Sequence, residues 1–379
     1  MEFQLRLLIF QNSHLKKTEK DNMIYMNNHR REFCNILIYV CGLVLSVFFI
    51  LPSCISAQEI KEAPRSLTIP SSLQRGDIVV AQDGSSKFKT VQEALNAVPE
   101  NSDKQTIIFI KNGLYKEKLV LSISKKNVTI IGESVEGVIL TYDDHSGKLV
   151  GSDTLNTFNS FSTNIEADGF TAENVTFENS AGRVGQAVAI MVKSDKVKFI
   201  KCRFIGNQDT FFTNTAGRIY VRESYIEGTT DFIFGNSIAV FEKCILHSKK
   251  KSHVTAASTP EGNKFGYVFL HCKLTADSGI KGVTLGRPWR PYAKAVYISC
   301  EIGTHIDSVG WNNWKKPDAE KTTFYAEYKC TGPGSVTTKR VSWSRQLNAV
   351  EATEYTLSKI FSANASATPF NSDWNPLEE

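Results

Sequence analysis

The feature that most constrains this chain is a short strand motif that returns every 20 to 28 residues. Each copy has an aromatic residue, then a small residue, then an apolar residue. The small residues of five copies follow one another at steps of 22, 20, 28 and 28, and they are Cys202, Ser224, Cys244, Cys272 and Cys300. A repeat in the twenties with one strand motif per period indicates a solenoid.

The repeat favours one kind of solenoid, the single-stranded parallel β-helix. Helical patterning is rare, and residues 91–98 form the clearest helical segment. The chain has neither a paired helix in each repeat nor a leucine-rich signature. The alternative, an antiparallel β-sandwich, explains the uneven steps less well. Strands are predicted over residues 106–110, 128–131, 197–204 and 238–246.

The small position of the motif is expected to form a ladder, meaning a row of like residues on successive coils that points into the β-helix. Asn174 is assigned to the same position, one step of 28 before Cys202. The cysteines of this ladder are interpreted as packed thiols rather than catalysts. Neighbouring strands are ~4.8 Å apart, so a disulfide such as Cys244–Cys272 is geometrically possible. Five cysteines follow residue 57, and an odd number leaves at least one free thiol.

The N-terminus has the pattern of a targeting segment. Residues 35–51 carry no charge, Arg30 and Arg31 precede them, and small residues follow up to Ala57. This predicts a signal peptide cleaved near Ala57 or, alternatively, an uncleaved signal anchor. Both place the later residues outside the cell. We divide the chain into this segment (1–57), a linker (58–74) and a β-helix domain (75–379). Sequons at Asn127, Asn174 and Asn364 agree with secretion.

Several kinds of catalytic site are excluded by the motifs that the sequence lacks. G-x-S-x-G, H-E-x-x-H and C-x-x-C do not occur, and the seven histidines are scattered without the spacing of metal ligands. The net charge of +5 is too small to imply a nucleic-acid partner. Carboxylates are what remain for catalysis.

Two aspartates have a spacing that matches the repeat. Asp209 and Asp231 are 22 residues apart, the same step that separates Cys202 from Ser224. On a β-helix this step puts them on adjacent coils at nearly the same angle. Two carboxyl groups so close resist joint ionisation, which separates their pKa values and lets one act as nucleophile and the other as acid.

Four further residues join this candidate site. Gln186 lies 22 residues before Gln208, so both amides are expected beside the aspartates, where they could hold an oxyanion. Arg287 and Trp289 follow another strand-like run. An arginine can bind a carboxylate through two hydrogen bonds, and a tryptophan beside it can stack on a sugar ring.

These residues and the motifs around them resemble those of the plant pectin methylesterases (pectinesterases), in the form without an N-terminal inhibitor-like domain. The resemblance covers roughly residues 75–375. Its motifs occur in the family's order, and they are GLYKE at 113–117, QAVAI at 186–190, GNQDT at 206–210, DFIFG at 231–235, LGRPW at 285–289, FYAEY at 324–328 and TGPG at 331–334.

The resemblance implies a right-handed parallel β-helix that hydrolyses galacturonate methyl esters in the cell wall. Asp231 matches the nucleophile, and Asp209 matches the acid that protonates methanol and then the base that activates water. Gln208 matches an oxyanion donor, with Gln186 beside it.

The resemblance also implies how substrate and partners bind. Arg287 matches the residue that keeps the nucleophile ionised, Trp289 a residue that stacks on substrate, and Thr157 a residue that contacts it. Methyl-esterified pectin is the implied substrate and a proteinaceous pectinesterase inhibitor an implied partner. A secreted monomer without a cofactor is expected.

The sequence departs from the family pattern at three places, which bear on the substrate subsites. Met191 stands where arginine is usual, Phe211-Phe212 replace Leu-Tyr, and Ala257 replaces a glutamine. A pectin-cleaving hydrolase or lyase, an esterase for another ester such as acetyl, and an inactive wall-binding protein are the competing interpretations. A glycosidase would not need the two glutamines, and a lyase would need an acidic calcium cluster.

Overall fold

A computed structural model describes residues 78–378. The predicted targeting segment and linker, residues 1–74, lie outside these residues, so the choice between signal peptide and anchor stays a prediction. In the part of the chain that the structure describes, no helix is both long and apolar enough to cross a lipid bilayer.

The regular elements of residues 78–378 are mostly short strands, numbered β1 to β28 along the chain. They assemble into three parallel sheets, A, B and C, and one small hairpin. Sheet A has 11 strands. They are β1 Ile78–Val80, β2 Thr106–Ile110, β5 Val128–Gly132, β10 Thr171–Glu173, β13 Val197–Ile200, β16 Arg218–Arg222, β19 Ile238–Glu242, β22 Tyr267–Leu270, β25 Lys294–Ile298, β27 Phe324–Tyr328 and β28 Arg345–Gln346.

Sheets B and C complete each coil, and sheet C carries the candidate site. Sheet B contains β3 Gly113–Lys116, β6 Val138–Tyr142, β11 Thr176–Asn179, β14 Arg203–Ile205, β17 Tyr225–Gly228, β20 Ile245–Ser248, β23 Lys273–Ala276 and β26 Glu301–Ile302. Sheet C contains β4 Leu119–Leu121, β9 Thr163–Ile165, β12 Ile190–Val192, β15 Phe211–Thr213, β18 Ile233–Gly235, β21 His253–Ala257 and β24 Thr284–Pro288. The antiparallel hairpin is β7 Leu149–Val150 with β8 Asp153–Thr154.

The chain passes through sheets A, B and C in turn, and each strand pairs with its counterpart on the next coil. In sheet C, for example, Ile190 pairs with Phe211 and Phe211 with Ile233. This is the right-handed parallel β-helix that the resemblance implied. The antiparallel sandwich is excluded because the strands of all three large sheets pair in parallel.

The small position of the repeat lies at the corner between sheets A and B. The residue before it takes a left-handed backbone conformation, as in Lys201 with φ 51° and Lys243 with φ 54°. The chain turns there, so the predicted strands 197–204 and 238–246 are each two strands. The register corrects one assignment, because Val175, not Asn174, stands beside Cys202. Asn174 itself has φ 56° and occupies the left-handed corner position.

The ladder cysteines are packed free thiols, as the sequence indicated. Cys202, Cys244, Cys272 and Cys300 are buried, and Cys330 continues the row on the next coil as a half-buried thiol. The disulfide Cys244–Cys272, which the strand spacing allows, is not formed, since both residues are free thiols. Their thiols donate to backbone carbonyls instead, such as Cys244 to Val221 at 3.5 Å. Burial raises the pKa of Cys202 to about 12, which leaves this thiol unreactive.

Aromatic stacks fill the interior of the β-helix. Phe177 and Phe204, on successive coils, stack at 5.6 Å between ring centroids, and Phe269 and Tyr297 stack at 4.3 Å. Such rings bury large apolar areas, each worth roughly 2–3 kcal/mol relative to exposure. The stacks join successive coils into one rigid body, which makes the outer face of sheet C a firm support for a site.

Each end of the β-helix is closed by other elements. Helix α1, Val91–Ala97, covers the first coils, and Glu117 of the GLYKE motif accepts the N–H groups of Val91 and Gln92 at 2.9 Å. That motif is therefore structural. At the other end, Arg340 donates to the buried carboxylate of Glu327 at 2.8 and 3.0 Å. The remaining helical elements are α2 Ala349–Ala352, α3 Leu357–Ile360 and 3₁₀ turns at Thr157–Asn159, Pro317–Lys321, Pro333–Ser335 and Ala363–Ala365.

Candidate active site

Asp209 and Asp231 lie on adjacent coils, at the turns that lead into sheet C. Backbone bridges pair Gln186 with Gln208 and Gln208 with Thr230, which brings the two aspartates into register. The amide of Asp209 donates to the carbonyl of Thr230 at 3.1 Å, and the amide of Asp231 donates to His253 at 2.8 Å. The step of 22 residues therefore does correspond to one coil, as predicted.

Both aspartates have an unusual backbone conformation. The φ angles of Asp209 and Asp231 are 66° and 49°, in the left-handed region. Aspartate tolerates this region better than most residues, yet it costs of order 1 kcal/mol or more. Because the paired coils on both sides hold these backbones in place, the two carboxyl groups keep fixed positions relative to each other.

Arg287 on β24 holds the carboxylate of Asp231. Its Nε donates to Oδ1 at 2.9 Å, and its Nη2 donates to Oδ2 at 2.6 Å. The Asp231 side chain is only 5% exposed, and that of Arg287 is 18% exposed. A bidentate ion pair of this kind fixes the orientation of the carboxylate and stabilises its negative charge in a largely buried site.

The surroundings of the two carboxyl groups give them different protonation states. Burial raises the pKa of Asp209 well above its usual value, and the nearby Asp231 raises it further. Burial also raises the pKa of Asp231, but hydrogen bonds from Arg287 and its charge oppose that rise. We therefore expect the proton on Asp209 and the negative charge on Asp231.

One groove on the outer face of sheet C contains every predicted site residue, and these are Thr157, Gln186, Gln208, Asp209, Asp231, Arg287 and Trp289. Within residues 78–378, the side-chain amides of the two glutamines have no protein hydrogen-bond partner, so they are available to a ligand. Sequence reasoning missed four other lining residues, and these are Phe158, Phe234, Ala256 and Trp314.

The floor of the groove is aromatic. Phe212 and Phe234 stack at 4.2 Å between centroids, and the Trp289 ring lies 5.8 Å from Phe234. Two of the three departures from the family pattern lie in this layer, since Met191 and Phe212 are buried in the cluster beneath the groove. The third does not, because Ala257 packs inside the β-helix. Ala257 therefore has no direct contact with a ligand in the groove.

A loop supported by ion pairs presents Thr157 and Phe158. Buried Asp144 pairs with Lys118 and Lys148, and Lys118 also donates to the carbonyl of Asn159 at 2.7 Å. These contacts tie the 3₁₀ turn Thr157–Asn159 to the β-helix. The Phe158 ring then makes an edge contact with Phe212 at 5.5 Å. Nothing in the spacing of the repeat indicated this support.

Trp314 is the missed residue nearest to the ion pair. The Cζ atom of Arg287 lies 3.5 Å from the centroid of the Trp314 ring, a close cation–π contact. One signal could have found it. Two of the five tryptophans of the chain, Trp311 and Trp314, lie in the short stretch GWNNW at 310–314, which has no strand pattern.

The fold and the groove together define a class, the hydrolases that combine a parallel β-helix with a pair of buried carboxyl groups. Comparisons with known proteins agree. The family model described as Pectinesterase matches residues 77–364. Pectinesterase 31 of Arabidopsis thaliana is 39% identical over 283 residues, which cover 72% of this chain and 88% of that relative. The chain therefore belongs to the pectinesterase family of carboxylic ester hydrolases.

Solved structures support the same assignment. A pectin methylesterase from carrot has a TM-score of 0.70 and 33% identity, and the match covers 79% of this chain and 99% of that one. A pectin methylesterase in complex with a hexasaccharide has a TM-score of 0.68 and 28% identity, with 80% and 98% covered. The chain spans only about half the length of relatives whose names combine pectinesterase with pectinesterase inhibitor.

Proposed function

We propose that this pectinesterase removes methyl esters from the galacturonate units of pectin, releasing methanol and de-esterified pectin. The observation that carries the proposal is the pair of buried aspartates in register. Arg287 holds Asp231, whereas Asp209 forms no ion pair with any residue of the range 78–378. A pectin methylesterase of similar fold binds a hexasaccharide. This supports a polysaccharide chain as the ligand of the groove.

In the first half of the reaction, the Asp231 carboxylate attacks the C6 carbonyl of the ester. The oxyanion that forms accepts hydrogen bonds from the amide groups of Gln208 and Gln186. The bond to the methoxy oxygen then breaks, and Asp209 gives its proton to this oxygen, so that methanol leaves. The product is an acyl-enzyme, an anhydride between Asp231 and the galacturonate.

In the second half, Asp209 takes a proton from water, and the oxygen of this water attacks the acyl carbon. The anhydride bond breaks, which frees the galacturonate and restores the Asp231 carboxylate beside Arg287. Asp209 ends protonated, as it began. Trp289 stacks on a sugar ring and Thr157 contacts the chain, which keeps the ester carbon in reach of Asp231.

We also propose that the protein is secreted and modifies the cell wall. The apolar segment before Ala57 and the three sequons support secretion. N-terminal sequencing of the secreted protein is expected to begin near Gln58. Retention in the membrane fraction would support the anchor. The inhibitor partner and the monomeric state stay predictions from the resemblance.

The test is methanol release from highly methylated pectin by the full chain, expressed in a secreting host. Asp231→Asn keeps the shape of the side chain and removes the nucleophile, so we expect activity to fall by at least ~10³-fold. Asp103→Asn, an exposed aspartate on the surface, is the control and should keep full activity. A reducing-sugar assay on the same samples should show no new chain ends, since new ends would indicate a glycosidase or lyase.

No methanol from the folded wild-type protein would contradict the proposal. Release of acetate from acetylated pectin in that case would favour the alternative interpretation, an esterase that removes acetyl groups. Full methanol release by Asp231→Asn would contradict the role of Asp231 while leaving the substrate assignment in place.

A further inference from the structure

The turn 312–316 closes one side of the groove and has a backbone that few sequences adopt. Trp314 and Lys315 are consecutive residues with φ of 56° and 55°, and neither is glycine. Two asparagines hold this conformation, because Asn312 accepts the N–H of Trp314 at 2.7 Å and Asn313 accepts that of Lys315 at 2.9 Å. A conformation maintained at such a cost beside a groove suggests a role in the site.

The turn is tied directly to the strand that carries Arg287. The amide of Asn312 donates to the carbonyl of Gly286 at 3.1 Å. The ammonium group of Lys316 donates to the carbonyls of Pro288 and Trp289 at 3.2 and 3.0 Å. Lys316 therefore fixes the backbone immediately after Arg287, including the residue whose ring faces the substrate.

Lys316 also shares an aromatic partner with Arg287. Its Nζ lies 4.5 Å from the centroid of the Trp314 ring, and the guanidinium of Arg287 lies 3.5 Å from the same centroid. The Trp314 ring thus lies in contact with two cations. Moving Lys316 would remove one cation from the Trp314 ring and one hydrogen bond from each of the Pro288 and Trp289 carbonyls.

The charge of Lys316 is costly where it stands. Partial burial lowers the pKa of Lys316, and the nearby Arg290 and Arg287 lower it further. A neutral amide could donate to the same two carbonyls without this repulsion. Hydrogen bonding alone therefore does not explain why a third cation, beside Arg287 and Arg290, occupies this end of the groove.

The Asp231 carboxylate supplies that reason. The charged and titratable groups that interact electrostatically with it are Arg287, Lys316, Asp209 and Tyr325. The neighbouring His253 accepts the Asp231 amide through its backbone carbonyl, and its ring lies near Arg287. Burial lowers the pKa of His253 to about 4, so its ring is neutral near pH 7. Burial and nearby charges raise the pKa values of Tyr325 and Asp209, which favours their protonated forms. Arg287 and Lys316 are then the two cations that favour the charged form of Asp231.

We propose that Lys316 is a positioning residue of the esterase reaction, which holds Trp289 and Trp314 around Arg287 and supplies positive charge to the Asp231 end of the groove. The proposal rests on the proposed function, in which Asp231 is the nucleophile. It differs from a purely structural role because it links Lys316 to the ionisation of Asp231.

The experiment compares Lys316→Met, Lys316→Arg and Lys104→Met in the full chain. The methionine variant keeps an apolar stem but loses the charge and the hydrogen bonds, and the arginine variant keeps a cation. Lys104 is exposed and lies outside the groove and its walls, so Lys104→Met changes the net charge by the same amount. Methanol release is measured from about pH 4 to pH 8, and kcat and KM are obtained at each pH.

We expect the acid limb of kcat/KM to move to higher pH in Lys316→Met, because loss of a cation raises the pKa of Asp231. A shift of about half a pH unit would lower activity on that limb about threefold. Lys316→Arg should keep the acid limb of the wild type, and Lys104→Met should match the wild type. Wild-type kcat, KM and acid limb in a folded Lys316→Met protein would overturn the proposal. An equal shift in Lys104→Met would also overturn it, since net charge alone would then be the cause.

A second readout does not depend on activity. The carboxylate and carboxylic-acid infrared bands of Asp231 can be isolated by subtracting the spectrum of Asp231→Asn at each pH. The pH at which Asp231 is half ionised should be higher in Lys316→Met than in the wild type, and it should be unchanged in Lys316→Arg. If the wild type releases no methanol, the proposed function fails, and this titration still decides whether Lys316 controls Asp231. Lys316→Gln serves as the neutral variant if Lys316→Met does not fold.

Discussion

The floor and the walls of the groove are built in different ways. The floor consists of Asp209, Asp231 and the aromatic layer, which lie on successive coils of sheet C and repeat at the step of the β-helix. The walls are the turn Thr157–Asn159 and the turn 312–316, which belong to no repeat. Backbone pairing positions the floor, whereas side-chain ion pairs and hydrogen bonds position the walls.

This difference matches the demands of the two parts. Bond making and breaking require carboxyl groups that stay within a fraction of an ångström of their places, and a coil paired on both sides supplies that rigidity. Contact with a long, variable polymer tolerates more movement. Changes in the floor should therefore affect kcat or folding, and changes in the walls should affect KM.

The largest effect is expected for Asp209→Asn in the floor. The amide keeps the shape of the side chain but cannot transfer a proton, so kcat should fall about 10³-fold, within the range for general acid–base catalysis. In the wild type, activity should be lost as pH rises through the raised pKa of Asp209 and as pH falls through the pKa of Asp231. Methanol release against pH measures both limbs. An Asp209→Asn enzyme with near wild-type kcat would remove Asp209 from the mechanism.

Gly235→Ala should be the most damaging change in the floor for stability. Gly235 has a φ of 122° on β18, and an added Cβ would collide with the carbonyl oxygen of Thr213. Strain and overlap together should cost about 3 kcal/mol. Gly185→Ala is the matched control, since its φ is 111° but no atom lies within 4 Å of the added Cβ.

Thermal unfolding followed by circular dichroism compares these two variants. Gly185→Ala should show the effect of backbone strain alone, about 1 kcal/mol. Equal melting temperatures for the two variants would show that the coils can move apart, and that the floor is less rigid than the paired strands imply.

In the walls, Asp144→Asn should weaken substrate binding. The change leaves Lys118 and Lys148 without their buried carboxylate partner and loosens the turn that presents Thr157. KM for pectin should rise about fivefold, roughly 1 kcal/mol, with kcat nearly unchanged. Asp143→Asn is the control, because Asp143 also pairs with Lys148 but is 37% exposed. A loss of kcat equal to the rise in KM would mean that this wall also positions the floor.

The smallest effect is expected for Phe158→Ala in the same wall. The Phe158 ring is half-exposed and makes one edge contact with Phe212. Removing it should cost about 0.5–1 kcal/mol of binding, a two- to fivefold rise in KM. Leu149→Ala, at the exposed hairpin β7–β8, should leave KM unchanged. An unchanged KM in Phe158→Ala would exclude this ring from substrate contact.

The repeat in the sequence predicted the fold and the floor because both depend on periodicity. A step of 22 residues corresponds to one coil. The placement of Asp209 and Asp231 on adjacent coils therefore followed from their separation in the sequence. The same reasoning failed where periodicity was not enough. Asn174 was placed one residue out of register, and Cys244–Cys272 was wrongly allowed as a disulfide, since the repeat shows which residues are neighbours but not how their side chains point.

By itself, the sequence determined the stacking of coils, the inward row of cysteines and the grouping of the carboxyl groups, because each follows from a regular spacing along one axis. Only the tertiary structure decided the geometry in which Arg287 meets the Asp231 carboxylate, and which loops form the walls. Those contacts join residues far apart in sequence, such as Asp231 with Arg287 and Trp314 with Arg287. Their geometry depends on left-handed turns and side-chain hydrogen bonds, which leave no period in the sequence to detect.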